Sequence, residues 1–351
     1  MRIGVNALYL IPGGVGGTEI YLRELLRGFA AIDSEHQYFV FTNRETKADL
    51  VPTRPNFHHA PQPVNATFRP ARILWEQTGL PMAARKLRLD ILFNPGFTCP
   101  AWCPCPNVTV FHDLQHKRHP EYFRWFDLPF WRLLLWSSVC RSRTLIAVSR
   151  ATAEDLLRFY GVSSTVIHHG VESQFFRIAG QHEPEGYLLC VSTLHPHKNL
   201  DRLIRVYRNY PALPRLMITG LRGFVAGELE KQAGANITFT GWVAREELYG
   251  LFQKAQAFLY PSNFEGFGMP VLEAMAAGVP VACSDIPPLR EIADGCAIFF
   301  DPQDDRAMHE AIVRVMHDSS LVEAARQRAS NFTWEESARA TLDCLKKAVT
   351  P

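Results

Sequence analysis

No apolar run in this sequence reaches the ~18 residues that a helix needs to span a bilayer. The first ten residues, MRIGVNALYL, hold one basic residue and then a run of strand length that leads into glycines, which is not the pattern of a secretory leader. A charge of one sign is also missing. Lys and Arg number 37 against 35 Asp and Glu, a net charge of +2, so the strong basic bias of a nucleic-acid binder is absent. The eight cysteines include no C-x2-C pair. Cys99, Cys103 and Cys105 in CPAWCPCP are spaced wrongly for a zinc finger, and no fourth ligand stands at finger-like distance. Pro100, Pro104 and Pro106 point to a stiff surface loop there, and the thiols read as the reduced cysteines of a cytoplasmic protein. No Asp-x-Asp motif is present to hold a divalent metal, and the acidic pair Asp304-Asp305 reads as the cap of a late helix.

What is present is an ordinary globular composition, 47% apolar and 21% charged over 351 residues. At ~150 residues per domain this length suggests two domains. Apolar strand-length runs alternate with helical patterns almost throughout, which predicts doubly wound α/β domains with parallel sheets covered on both faces. In the first half, strands are expected at Arg2–Leu8, Gln37–Thr42, Ile91–Phe93, Val108–Phe111, Leu145–Val148 and Thr165–His168. Gly13, Gly14, Gly16 and Gly17 form a loop, Thr18 is the expected N-cap, and Glu19–Ile32 follows with helical periodicity. Ser149 caps another helix that stops at Gly161. Residues 1–172 then form the first domain, and the polar stretch 173–186, with Gly180, Pro184 and Gly186, is the expected linker. A second series occupies 187–332, with strands at 187–192, 215–219, 236–240, 256–260, 279–283 and 297–300. Residues 333–351 carry Trp334, Ala338, Leu342 and Leu345 on one helical stripe and are expected to cross back to the first domain.

The stretch from Glu265 to Gly278, EGFGMPVLEAMAAG, lies between two apolar strands. In a parallel sheet that puts it at the carboxyl end of a strand, where such folds bind ligands. Pro270 suits the first position of a helix, where its missing N–H is not needed, and Gly278 suits the exit. The helix N terminus then offers N–H groups and a partial positive charge to a phosphate. Glu265 and Glu273 stand eight apart around this turn. Carboxylates accept well from sugar hydroxyls, while spacing alone also allows a cap and a solvated helix residue. Elsewhere, Lys198 in Val191-Ser-Thr-Leu-His-Pro-His-Lys-Asn stands at a helix start, where a cation opposes the dipole unless an anion lies between them. His112 follows a buried strand in Phe111-His112-Asp113, and Asp113 suits a loop-orienting role. The loop Gly13–Gly17 fails the strict G-x-G-x-x-G pattern, which argues against NAD.

The Glu265–Glu273 stretch, with Tyr260-Pro261-Ser262 before it and Ala274–Val281 after it, resembles the E-x7-E signature of retaining glycosyltransferases of family 4 with the GT-B fold. That resemblance implies two Rossmann-like domains with an interdomain cleft, and transfer of a sugar from a nucleotide diphosphate donor with retention. The acceptor would attack on the face the leaving group departs from, and the leaving phosphate would take the acceptor proton. Glu265 would contact donor sugar hydroxyls and Glu273 the ribose. Phe267 and Gly268 would hold the sugar through backbone groups, and Met269, Val271 and Leu272 would also belong to the donor-binding residues. The segment ending in Lys198-Asn199 is similar to the family's G-T-L-x-P-x-K-N, so Lys198 would neutralise the diphosphate. Thr193 stands where the family often has arginine, and Arg222 is the candidate to compensate. The family often carries a histidine at the position of His112, against the donor sugar. Gly16 or Gly17 would lie near the diphosphate, and Trp242 and Val243 beside the base. No metal or other cofactor is expected. The Thr-Leu-x-Pro-x-Lys-Asn variant is similar to that of mannosyltransferases of bacterial surface polysaccharides, which favours GDP-mannose; the hydroxyl acceptor is not legible in these residues, a lipid-linked saccharide being one candidate.

Residues 122–139 interleave Phe123, Trp125, Phe126, Phe130, Trp131 and Trp136 with arginines, a pattern that fits either a packed helix or contact with a membrane surface at the inner face of the plasma membrane. Two rival functions follow from the same residues. An inverting GT-B enzyme or a nucleotide-sugar epimerase needs a positioned general base. A nucleotide-sugar sensor would use the same residues without turnover, and donor hydrolysis separates it from an enzyme.

Overall fold

The computed structural model describes residues 1–14, 16–46, 48–223 and 225–350. The chain forms two compact units, one of residues 1–170 together with 334–351, the other of residues 171–333.

In the first unit the strands are β1 (Arg2–Asn6), β2 (Gln37–Thr42), β3 (Phe57–Pro61), β4 (Ile91–Asn94), β5 (Asn107–Phe111), β6 (Ser142–Ala147) and β7 (Thr165–Val166). They make a parallel sheet in the order β3-β2-β1-β4-β5-β6-β7. The helices between them are α1 (Gly17–Ile32), α2 (Arg69–Lys86), α3 (Gln115–Arg118), α4 (Leu128–Arg141) and α5 (Arg150–Tyr160). Central strands are apolar on both faces because helices cover both, and all of β5 is buried. Helix α1 buries Tyr21, Leu22, Leu25, Leu26 and Phe29, the stripe its periodicity predicts. Ser149 accepts from the Thr152 N–H and Gly161 ends α5 at φ 69°, both as the cap residues demand.

Two local expectations are corrected in this unit. Thr18 is not the cap of α1. Gly16 is, at φ 58° and ψ −128°, a conformation that glycine alone adopts freely. The loop is closed instead by Glu19, whose carboxylate accepts from the Gly13 N–H at 2.8 Å. The cysteine segment is not a surface loop throughout, because Cys99 and Cys105 are buried. The Cys99 thiol lies against Ser138 and Ser142, while Cys103 and Cys105 face each other at 3.6 Å between sulfurs.

The second unit opens with α6 (Ser173–Ala179) and continues β8 (Tyr187–Val191), α7 (Leu200–Asn209), β9 (Leu216–Thr219), α8 (Ala226–Gln232), β10 (Ile237–Gly241), α9 (Arg245–Lys254), β11 (Ala255–Tyr260), α10 (Met269–Ala276), β12 (Val281–Ser284), α11 (Pro287–Ala293), β13 (Ile298–Phe300), α12 (Asp305–His317) and α13 (Val322–Ala329). Its parallel sheet runs β10-β9-β8-β11-β12-β13. Leu188, Ile204, Ile218, Ala257 and Ile312 meet in its core. Asp304 caps α12 by accepting from the Arg306 and Ala307 N–H groups.

The expected linker at 173–186 is part of this unit. Phe175 and Ile178, three apart, bury the inner face of α6 against Tyr249 and Phe252. The polar residues after it are tied down by Glu183 and Glu185 N–H bonds to the carbonyls of Gln253 and Lys254. The chain passes between units at Gly170–Val171 and again at Thr333–Trp334. The last helix, α14 (Trp334–Val349), lies on α1, where Gly28 leaves room for it: a Cβ there would stand 2.8 Å from Ala338 Cβ and from the Trp334 carbonyl oxygen.

Candidate active site

In the second unit the switch of strand order falls between β8 and β11, so the loops leaving these two strands face the same crevice. The loop after β8 carries Lys198, and the loop after β11 carries Glu265. Lys198 Nζ donates to Glu265 Oε1 at 2.6 Å and to the Tyr260 hydroxyl at 3.3 Å. Both charged side chains are largely covered, 14% and 10% exposed, which strengthens the pair relative to one in water. Burial, and then the charge of Glu265, push the Tyr260 hydroxyl well above its ordinary value, so it stays protonated as a donor. The two loops are stapled together. Asn199, in the left-handed region at φ 56°, donates through Nδ2 to the carbonyls of Pro261 and Pro302, and the Asn263 N–H donates to the His197 carbonyl.

Helix α10 starts directly after this loop with no side-chain cap. Its N-cap is Gly268 at φ 108°, where an added Cβ would stand 2.4 Å from Leu289 Cδ2. Pro270 is the second helical residue, one later than expected, where its missing N–H is equally harmless. Gly278 leaves the helix at φ 72°. Phe267, Val271 and Leu272 are buried, and the Val271 and Leu272 N–H groups are bonded to the Gly268 carbonyl, so the side chains of these three pack as core at the start of α10. Met269 is half-buried. Glu273, in the second turn, is buried and pairs with Arg245 Nη2 at 2.6 Å. Burial raises its carboxyl above the ordinary value, and Arg245 draws it back down.

The structure thus brings Lys198, Glu265, Tyr260 and the start of α10 together. Arg222 is exposed and paired with Glu230 at 2.8 Å, in a loop tied to the turn that carries Thr193 by the Leu194 N–H, which donates to the Leu221 carbonyl. Thr193 itself sits in the turn after β8, its carbonyl accepting from the His195 N–H. Trp242 and Val243 follow β10, and the Trp242 ring is 62% exposed.

Gly16, Gly17 and His112 belong to the first unit. His112 ends up buried among Tyr21, Phe97 and His169, and its Nε2 lies 2.7 Å from the Pro95 carbonyl. A carbonyl only accepts, so Nε2 carries the proton and Nδ1 is the acceptor side of the ring. Burial lowers its pKa to about 4, which leaves the ring neutral at pH 7. Asp113 accepts from the Gln115 N–H, a loop-orienting contact. Among the described residues, no group of three or more His, Cys, Asp or Glu side chains is placed to hold a metal ion.

Sequence reading missed three contributors: Tyr260 as a partner of Lys198, Asn199 as the staple, and Arg245. Tyr260 and Asn199 had a signal in their neighbours. Arg245 had none, because its partners stand 28 and 73 residues away.

Comparison with known proteins agrees with this geometry. Residues 15–175 match the model of Glycosyltransferase Family 4, and residues 172–332 match that of Glycosyl transferases group 1. The O-antigen chain mannosyltransferase B of Escherichia coli is 30% identical over 269 residues, 68% of this chain and 70% of that protein. The O-antigen chain mannosyltransferase RfbU of Salmonella typhimurium is 32% identical over 216 residues, 59% of this chain and 60% of that protein. The solved structure of a sucrose-phosphate synthase from Thermosynechococcus elongatus matches 99% of this chain and 98% of its own with a TM-score of 0.79 at 19% identity, a likeness of fold. The two parallel-sheet units have the architecture of GT-B glycosyltransferases. The chain belongs to glycosyltransferase family 4 and is a glycosyltransferase.

Proposed function

We propose that this enzyme moves a hexose from a nucleotide diphosphate donor to a hydroxyl acceptor with retention at the anomeric carbon and without a metal ion. The observation that carries the reading is the Lys198–Glu265 pair held beside the open N terminus of α10. A donor diphosphate would take the place of the carboxylate as the partner of Lys198, and the freed Glu265 would accept from the sugar hydroxyls. Lys198 and the helix dipole would then stabilise the charge that grows on the leaving phosphate. Neutral His112 would contribute a hydrogen bond and not a charge. The relatives' names favour mannose, hence GDP-mannose, and a polysaccharide acceptor such as an O-antigen chain.

A lipid-linked acceptor fits the surface of the first unit. Among the described residues, ten of the twelve large apolar side chains that are exposed fall between Phe68 and Leu157, among them Trp125, Phe126, Phe130 and Trp136. Residues 68–158 also hold 13 Lys and Arg against 7 Asp and Glu, so the remainder of the chain is net negative. Exposed aromatics with positive charge are the pattern that favours an anionic membrane surface, and no described helix is long and apolar enough to cross one. The place of work would then be the cytoplasmic face of the membrane.

Turnover of a donor panel (GDP-mannose, UDP-glucose, UDP-galactose) with an acceptor mixture, and NMR of the product anomer, tests the reading. GDP-mannose should be consumed in EDTA as fast as without it, giving the α-anomer. An inverted product, or a loss of more than about tenfold in EDTA that Mg²⁺ restores, sinks retention or metal independence respectively.

A further inference from the structure

Glu273 does not stand alone. Arg245, the first residue of α9, points one guanidinium nitrogen, Nη2, at two carboxylates: Glu273 of α10 at 2.6 Å and Glu172, the residue before α6. Glu172 also accepts from the Tyr249 hydroxyl. The guanidinium is held between rings, its carbon 5.0 Å from the centre of Phe175 and 5.6 Å from that of Tyr249. Two carboxylates share one cation, so the buried group is one negative charge in excess.

Among the described residues, the other charged groups on elements packed against α10 have partners of their own; on α6, Arg177 donates to Gln174. On α13, Arg326 pairs with Glu323, and Arg328 pairs with Asp294 and with the carbonyls of Glu291 and Ile292. On α11, Arg290 pairs with Asp285, and at the end of β11, Lys198 pairs with Glu265. Arg245 is therefore the cation acting on Glu273, and Glu172 and burial act against it.

We propose that Arg245 is the positioning residue of the nucleotide site: it keeps Glu273 ionised and aimed, so that the carboxylate can accept both hydroxyls of a ribose. The proposal rests on the donor reading of Glu273 and deepens it. A protonated Glu273 would lose its charge and half its acceptor capacity. Burial alone favours that protonated form, and Glu172 would add repulsion once the shared cation was gone. The planar fork suits the role better than an ammonium, because one side chain must reach two carboxylates while its face rests on aromatic rings.

Calorimetric titration of the full-length enzyme with GDP and UDP, at pH 6 and pH 8, tests this. Wild type sets the baseline, which includes the titration of the nucleotide's own terminal phosphate near pH ~6. Relative to wild type, Arg245→Met should bind more weakly at pH 8, and weaker again at pH 6 by on the order of tenfold, because Glu273 now titrates in that window. Arg245→Lys should restore the wild-type profile in part. A loss in Arg245→Met that is equal at both pH values means a merely structural role and overturns the proposal. If Arg245→Met does not fold, Arg245→Gln carries the same expectation, since it keeps hydrogen bonding and removes the charge. Glu273→Ala separates the two levels. Unchanged nucleotide affinity in that variant overturns the donor reading and the proposal with it. A weakened Glu273→Ala beside a pH-independent Arg245 variant overturns the proposal alone.

Discussion

Glu265 and Glu273 are chemically identical and eight residues apart, yet their surroundings give them different work. Glu265 is paired with Lys198 on the loop, and Glu273 is buried against Arg245 in the helix. If Glu273 meets the ribose, its contact is similar in ground and transition states, and Glu273→Ala should chiefly raise KM for the donor. If Glu265 meets the sugar ring that gains positive charge, it should matter more in the transition state. Glu265→Ala should lower kcat by on the order of tenfold to a thousandfold. Calorimetry should show nucleoside diphosphate affinity falling more for Glu273→Ala; the opposite order in folded variants refutes the assignment. His112 supplies a pH signature. Burial holds it at about 4, while the unfolded chain keeps it near ~6.5. Between these values the unfolded chain binds a proton that the folded one refuses. Stability should therefore fall as pH drops from ~6.5 to ~4, by roughly 3 kcal/mol for this residue. His169 and His116 act with the same sign. Urea unfolding at several pH values should show the slope, and His112→Gln should lessen it by about one proton; an unchanged slope means that His112 does not titrate this way.

At the scale of elements, the aim of α10 depends on the one residue that lets the chain turn into it. Gly268 combines φ 108° with contact against α11, so a methyl group meets Leu289 and the backbone is strained besides. Gly268→Ala should destabilise the enzyme by about 1–3 kcal/mol and weaken nucleotide binding together with it. Gly250 in α9 is the contrast, with ordinary φ and open space around its missing Cβ. Gly250→Ala should leave binding alone and add about 0.5–1 kcal/mol of stability. Thermal melts and GDP titrations of both variants check this, and equal effects would mean that the turn at Gly268 is not what positions the helix. The staple from Asn199 belongs to the same scale, since it holds the Lys198 and Glu265 loops in one register through two carbonyls.

At the scale of the molecule, apolar exposure and positive charge coincide on the first unit, while the second exposes Trp242 and Val313 among the described residues. The expected consequence is binding to vesicles that contain anionic lipid, weakened by salt. Trp125→Glu with Trp136→Glu should lower the vesicle-bound fraction about tenfold or more while leaving turnover on a soluble acceptor unchanged. Flotation with neutral vesicles is the control. Equal binding to neutral and anionic vesicles, or no effect of the double variant, refutes this surface.

Periodicity and punctuation were local, and local signals determined the elements. The alternation of strands and helices, the stop at Gly161, the caps at Ser149 and Asp304 and the turn after Tyr260 all rest on a few consecutive residues whose backbone preferences act alone. The Glu265–Glu273 signature was legible for the same reason: its turn, helix and carboxylates are contiguous. Tertiary structure decided what contiguity cannot carry. The stretch 173–186 reads as polar linker, yet two buried side chains of α6 and two backbone bonds fix it in the second unit. The pairing of Arg222 with Glu230, eight residues on, is likewise set by how the loop after β9 packs beside α8 and not by the neighbours of Arg222 in sequence. Arg245 reads as one surface charge among 37, and only the fold brings it to Glu172 and Glu273. The physical reason is range. Backbone propensity and hydrophobic period act over a turn or two, whereas an ion pair in a low-dielectric interior is set by which distant segments the packing makes neighbours.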